Sequence, residues 1–323
     1  MQMQSLDSIY RKRRFPSLAA GLVAAVAILA LAVGAVVLSM RGCAGDPAEA
    51  DAAAPEAGSA TTNADARAQA PRAPDLPPEA YEEGTLTRDA FLAAMEKAKE
   101  FDRLGRLYDE RAVLLEALAQ AGSAYRGALE EELGALSGRI YFTNVPGPDK
   151  AEVAVDAPLA TIAARHNCPV ALIQRMNGIA DPDRVQSGRR LVVLHDPKFE
   201  VRVSKSRNTL LLTLNGKFFR RYVVATGEGG NTPVGEFRLV ERIEHPVWET
   251  GGRKIPYDGT GKNGNILGTH YLKLDVPGYG IHGTWDESTL GRQSSAGCIR
   301  MRNADVADLY VLLPRQTPVV IEP

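Results

Sequence analysis

Cysteine is scarce in this chain of 323 residues: Cys43, Cys168 and Cys298 stand far apart, without the CxxC spacing of a zinc site or a thioredoxin-type pair. A disulfide-built scaffold is excluded, and a Cys168–Cys298 bond would consume the thiol singled out below. No excess of either charge sign exists, since 38 Lys and Arg face 39 Asp and Glu. With aromatics at only 6% and no basic stripe interleaved with them, nucleic acid is not an expected partner. Histidine is also rare, five in all, and none follows Cys298. What the chain does have is length and 45% hydrophobic residues, enough for two or three domains of roughly 100–200 residues.

Charge is missing altogether from Phe15 to Met40, and Leu18–Leu38 is built of Leu, Ala, Val, Ile and Gly. That length matches the roughly 20 residues that cross a bilayer and exceeds the roughly 7–15 of a signal-peptide core, the competing reading. Residues 1–14, with Arg11, Lys12, Arg13 and Arg14, form a basic cytoplasmic tail, 15–40 a single-pass anchor, and the acidic residues that follow place the rest outside the cytoplasm. Cys43 sits beside the anchor; Arg41 is a poor neighbour for lipid attachment there. Residues 41–85, rich in Ala, Pro and acidic groups, read as a disordered linker. Over 86–140 the pattern turns helical: Phe91, Met95, Leu104, Leu107, Leu114, Leu115 and Leu118 recur at threes and fours, Thr87 offers a cap, and Gly122-Ser123 breaks the run into antiparallel pieces. This neck is either a spacer packing its own stripe or the docking point of a protein partner.

Residues 150–196 predict strand, helix, helix, strand, over Val153–Val155, Leu159–His166, Val170–Asn177 and Arg190–Leu194. The order of landmarks, with Asn177-Gly178 closing the second helix and Gly188 before the last strand, resembles a LysM module. The resemblance implies binding to the glycan strands of peptidoglycan, although Asp156-Ala157-Pro158 stands where that family carries Gly-Asp. Cys168 lies beside His166 between the two helices, where a lone Cys is ordinarily core filler.

The segment 198–323 reads as mainly β, a β-sandwich or open barrel with one helix. Strands are expected at Val201–Val203, Leu210–Leu214, Phe218–Ala225, Glu236–Ile243, Thr269–Leu274 and Val319–Glu322, with Asn215-Gly216 as a two-residue turn. Helix Ala304–Leu313 is expected to be capped by Asn303. In Ser294-Ser295-Ala296-Gly297-Cys298-Ile299-Arg300, small residues before the Cys leave room for a substrate backbone. Main-chain N–H groups at Gly297 and Cys298 could line an oxyanion hole, and Arg300 would favour a thiolate or hold a carboxylate. A free thiol is only a few per cent ionised at neutral pH and needs a base, which must lie upstream. His282, in Gly280-Ile281-His282-Gly283-Thr284-Trp285 and 16 residues before Cys298, is the natural candidate.

His282-Gly283, the spacer, and Ser295-Ala296-Gly297-Cys298 together resemble the signature of the YkuD-type L,D-transpeptidases. Thr226-Gly227, Thr232-Pro233-Val234-Gly235-Glu236-Phe237 and Leu267-Gly268 fall where that family has its upstream landmarks. The resemblance implies that Cys298 forms an acyl-enzyme, that His282 takes its proton, and that the Gly283 carbonyl orients the imidazole. Ser295, Gly297 and Arg300 match motif positions that shape the substrate and oxyanion site, whereas Ala296 replaces the family's usual His. It further implies a tetrapeptide stem of peptidoglycan as donor, an amine as acceptor, and neither metal nor cofactor. Release by water would make the enzyme an L,D-carboxypeptidase; a sortase-like enzyme, disfavoured by the His–Cys spacing, and a non-catalytic wall-binding anchor are the rival readings.

Overall fold

The computed structural model describes residues 84–323. The basic tail, the expected span at 15–40 and nearly all of the linker lie outside them. Among the described residues no helix is long and apolar enough to cross a membrane.

The neck is three helices, α1 (Arg88–Arg103), α2 (Leu107–Gln120) and α3 (Ser123–Tyr141). Thr87 caps α1 as its sequence predicts, its hydroxyl accepting from the Ala90 N–H at 3.2 Å. Gly122 makes the expected break. A second break falls at Gly105, whose φ of +69° favours a residue without a Cβ. Leu104, read as part of the apolar stripe, is 62% exposed at that corner. The stripe is not reserved for a neck-only core, because α3 packs on the β domain. There Arg221 makes a bidentate pair with Glu130, Arg111 donates to the Phe218 carbonyl at 2.8 Å, and the Tyr141 and Phe219 rings lie 5.3 Å apart.

Next come β1 (Lys150–Ala154), α4 (Leu159–Arg165), α5 (Val170–Asn177) and β2 (Arg190–Leu194), with β1 and β2 antiparallel. This is the strand, helix, helix, strand order that hydrophobic spacing predicts, with Leu159, Ile162, Leu172, Ile173 and Leu191 buried. Asn177 closes the unit by donating to the Ile173 and Val192 carbonyls and accepting from the Val192 N–H. Lys150 ties the unit to the neck: its ammonium donates to the carbonyls of Ile140, Thr143 and Val145 at the end of α3. Arg175 on α5 reaches Asp308 of the β domain at 2.9 Å.

The β domain comprises β3 (Phe199–Ser204), β4 (Thr209–Leu214), β5 (Lys217–Val223), β6 (Thr226–Gly227), β7 (Gly235–Glu244), β8 (Trp248–Thr250), β9 (Arg253–Ile255), β10 (His270–Leu274), β11 (Gly280–Thr284), β12 (Gln293–Ser295), β13 (Ile299–Arg302), α6 (Asn303–Leu312) and β14 (Pro318–Glu322). Eight of the strands form one sheet in the order β13-β11-β10-β7-β14-β3-β4-β5. Its ends nearly meet, because Ala225, just past β5, exchanges both backbone hydrogen bonds with Arg300 of β13, at 2.8 and 2.9 Å. The result is a barrel-like sheet rather than a two-sheet sandwich. Asn215-Gly216 joins β4 to β5 with both φ angles positive, +52° and +72°, as a two-residue hairpin turn requires. α6 lies against β10, β11 and β13.

Candidate active site

Two adjacent strands place the predicted pair on one face of the sheet. β11 and β13 run parallel with Ile281 beside Ile299 and His282 beside Arg300. Side chains alternate across a sheet, so Ile281 and Ile299 enter the core while His282 and Arg300 face the other way. Cys298, one residue before β13, falls beside Gly280 on the same face as His282, a diagonal step from it. Tyr271, paired with His282 across β10, completes that face, its ring 6.2 Å from the imidazole.

His282 is 1% exposed, and its Nδ1 lies 2.7 Å from the Gly283 carbonyl. Burial pulls its pKa down to about 4, helped by the nearby Arg300 charge and opposed by the backbone of Gly283 and Leu267. The ring is therefore neutral at neutral pH. With Nδ1 holding its proton toward Gly283, Nε2 is the basic nitrogen. Burial raises the Cys298 thiol, while the Gly280 backbone and the Arg300 charge work against that rise. The Sγ donates to the Gly278 carbonyl at 3.5 Å. The Arg300 charge acts on His282, on Cys298 and on Asp286, which makes this end of the sheet electropositive.

The loop carrying the nucleophile is fixed at both of its carbonyls. Ser295, 3% exposed, donates to the Cys298 carbonyl at 2.6 Å and accepts from the Gly297 N–H at 3.1 Å. Thr232, equally buried, donates to the Gly297 carbonyl and accepts from the Gly227 N–H, both at 2.7 Å. Gly297 N–H is thus committed to Ser295, and of the two donors expected at an oxyanion hole only Cys298 N–H stays in play. Gly297 has φ +151°, and a Cβ there would lie 2.7 Å from the Tyr279 ring. Ala296 is exposed beside it.

Sequence reading passed over Tyr271 and Tyr279. Both rings pack where a glycine leaves space, Tyr271 over Gly280 and Tyr279 over Gly297, and isolated glycines carry no sequence signal for what covers them. It also assigned Asn303 as a helix cap. The structure corrects that: α6 starts at Asn303, its N-cap is Arg302 without a side-chain bond, and the Asn303 amide reaches into the sheet instead. Cys168 and Cys298 are both free thiols.

Residues 198–321 match the model of the L,D-transpeptidase catalytic domain, and residues 159–194 match that of the LysM domain. Bacillus subtilis YkuD, an L,D-transpeptidase by name, is 33% identical over 141 residues, covering 42% of this chain and 76% of the relative. The chain belongs to the YkuD-type L,D-transpeptidase family. Bacillus subtilis YqjB, named likewise, is 39% identical over 125 residues, 37% of this chain and 68% of the relative. A solved Mycobacterium tuberculosis L,D-transpeptidase covers 54% of this chain and 90% of its own, at 14% identity and a TM-score of 0.34. The chain carries a LysM domain directly upstream of its L,D-transpeptidase catalytic domain. Across the LysM domain, Val155–Leu159 and the segment from Pro182 to Ser187 face each other over a cleft of about 390 Å³.

Proposed function

We propose that the chain is a cysteine L,D-transpeptidase that cross-links peptidoglycan through an acyl-enzyme on Cys298. The observation that carries this is the juxtaposition of a part-exposed thiol with a buried, neutral imidazole whose Nδ1 is pinned by the Gly283 carbonyl. His282 Nε2 takes the thiol proton as Sγ attacks the carbonyl carbon of the stem's penultimate residue. A tetrahedral oxyanion forms against the Cys298 N–H. Collapse breaks the C–N bond, and the proton on Nε2 passes to the departing D-alanine amine. An acceptor amine then attacks the thioester, loses its proton to Nε2, and the thiol is restored. Gly283 does through a carbonyl what a carboxylate does in a Ser-His-Asp triad. Arg300 holds a carboxylate of the stem and Ser295 and Gly297 set the nucleophile's loop.

The LysM cleft beside Asp156-Ala157-Pro158 holds glycan strands, and the apolar stretch 15–40 anchors the chain with its catalytic part outside the cytoplasm. Full-length chain in detergent, as wild type, Cys298→Ala and His282→Ala, would be incubated with a disaccharide tetrapeptide and separately with a carbapenem, then weighed intact. Adducts and a cross-linked stem from wild type alone are expected. A trimmed stem without cross-links would make it an L,D-carboxypeptidase, and well-folded wild type with no adduct would reduce it to a wall-binding anchor.

A further inference from the structure

The backbone carbonyl that holds the His282 ring belongs to a strand whose end is tied to the stretch before β10 by one side chain, beside the strand pairing itself. The Gly283 carbonyl lies 2.7 Å from the ring's Nδ1, and the stretch Leu267–Thr269 runs alongside. Between these two stretches lies the amide of Asn303. Its Oδ1 accepts from the Thr269 N–H at 3.0 Å, and its Nδ2 donates to the Thr284 carbonyl at 2.9 Å. Room for it exists only because both flanking residues are glycines. A Cβ at Gly283 would stand 2.0 Å from Oδ1, and one at Gly268 would stand 2.3 Å from it. An asparagine is suited to this place because it offers one acceptor and one donor in a plane. Helix capping is not its task, since α6 begins at Asn303 without a side-chain cap.

We infer that Asn303 is a positioning residue: by clamping Gly268-Thr269 to Gly283-Thr284 it fixes the Gly283 carbonyl that holds His282, and so the ring's tautomer and aim. The inference rests on the transpeptidase reading for its catalytic consequence, but the hold on His282 is a property of the resting protein. Loss of the amide would let the Gly283 carbonyl drift, and misplacement of about 1 Å at a reacting group costs on the order of a hundredfold in rate.

The test uses full-length chain in detergent with ¹⁵N-labelled histidine, as wild type, Asn303→Ala and Asn303→Asp, with His282→Gln to assign the signal. Long-range ¹H–¹⁵N spectra across pH 3.5–8 read the His282 tautomer and titration, and carbapenem acylation of Cys298 is timed in parallel. Wild type should show one tautomer, protonated at Nδ1. In Asn303→Ala the signal should become a mixture of tautomers, its titration should move up toward the ordinary imidazole range, and acylation should slow by roughly ten- to a hundredfold. Asn303→Asp keeps the acceptor for Thr269 and loses the donor to Thr284, so it should fall between the two; it also carries the comparison if the alanine variant does not fold. Wild-type His282 signals in a folded Asn303 variant would overturn the inference, whatever the rate does. If wild type is never acylated while His282 still responds to Asn303, the functional reading fails and the positioning role stands.

Discussion

Cys168 and Cys298 are the same residue in two surroundings. Cys168 lies between α4 and α5, 4% exposed, its thiol 3.9 Å from the Pro169 carbonyl and touched by the Leu194 backbone, with no charged group acting on it. Burial pushes its thiol up to about 12. Cys298 is also raised by burial, but it sits just before β13 near the Arg300 charge, with the Gly280 backbone turned toward its sulfur and a neutral imidazole one diagonal step away. Burial alone makes a thiol inert. What makes one usable is a set of groups that favour the thiolate once a substrate has excluded water.

The largest expected effect tests that contrast directly. At pH 8, iodoacetamide should alkylate Cys298 in the native protein at least about a hundred times faster than Cys168, because the thiolate fraction of Cys168 is roughly 10⁻⁴ there. Peptide mapping keeps both separate from Cys43, and denaturant should equalise them. Equal native rates would mean that the two environments do not differ as described.

The contrast also shows what a sequence discloses. Small neighbours, Arg300 and the upstream His282 single out Cys298 in the sequence, and Cys168 reads there as core filler, which its burial bears out. The βααβ order, the Asn215-Gly216 turn and the Thr87 cap are local events, governed by residues within one turn or strand of each other. Local periodicity does not carry the docking of α3 on β5, nor the closure of the sheet through Ala225 and Arg300, which join residues 75 positions or more apart. For the same reason Asn303 reads as a cap: the glycines that admit its amide, Gly268 and Gly283, lie 35 and 20 positions upstream.

Acid should separate the two regions further. His282 is held neutral by burial, with a folded pKa of about 4 against an unfolded value near 6.5. A lowered folded value means that the unfolded chain binds the extra proton first. Stability attributable to this group is whole above pH 6.5 and is lost as pH falls toward 4, about 3 kcal/mol in total. Urea unfolding of wild type and His282→Gln should therefore converge by about that amount between pH 6.5 and 4. Parallel pH dependence in the two proteins would remove the imidazole from the account.

A smaller loss is expected at the clamp on the nucleophile's loop. Thr232→Val keeps the shape but strands the Gly227 N–H and the Gly297 carbonyl, both paired at 2.7 Å by the hydroxyl. Leaving such buried groups unpaired costs about 2 kcal/mol. Alkylation of Cys298 should change with it, while Cys168 keeps its wild-type protection. If Cys298 reactivity is untouched, Thr232 stabilises the fold without shaping the site.

The smallest effect belongs to Cys168→Ala. Deleting one buried sulfur from the LysM core removes packing worth about 1–2 kcal/mol and no interaction with the catalytic face. Yet the LysM domain is fastened to the catalytic domain through Arg175 and Asp308, and to the neck through Lys150. A variant that lowers the melting temperature slightly and leaves carbapenem acylation unchanged would show that those fastenings carry no more than orientation. A fall in acylation well beyond the loss of folded protein would mean that packing around Cys168 reaches α6, on which Asp308 and Asn303 both lie.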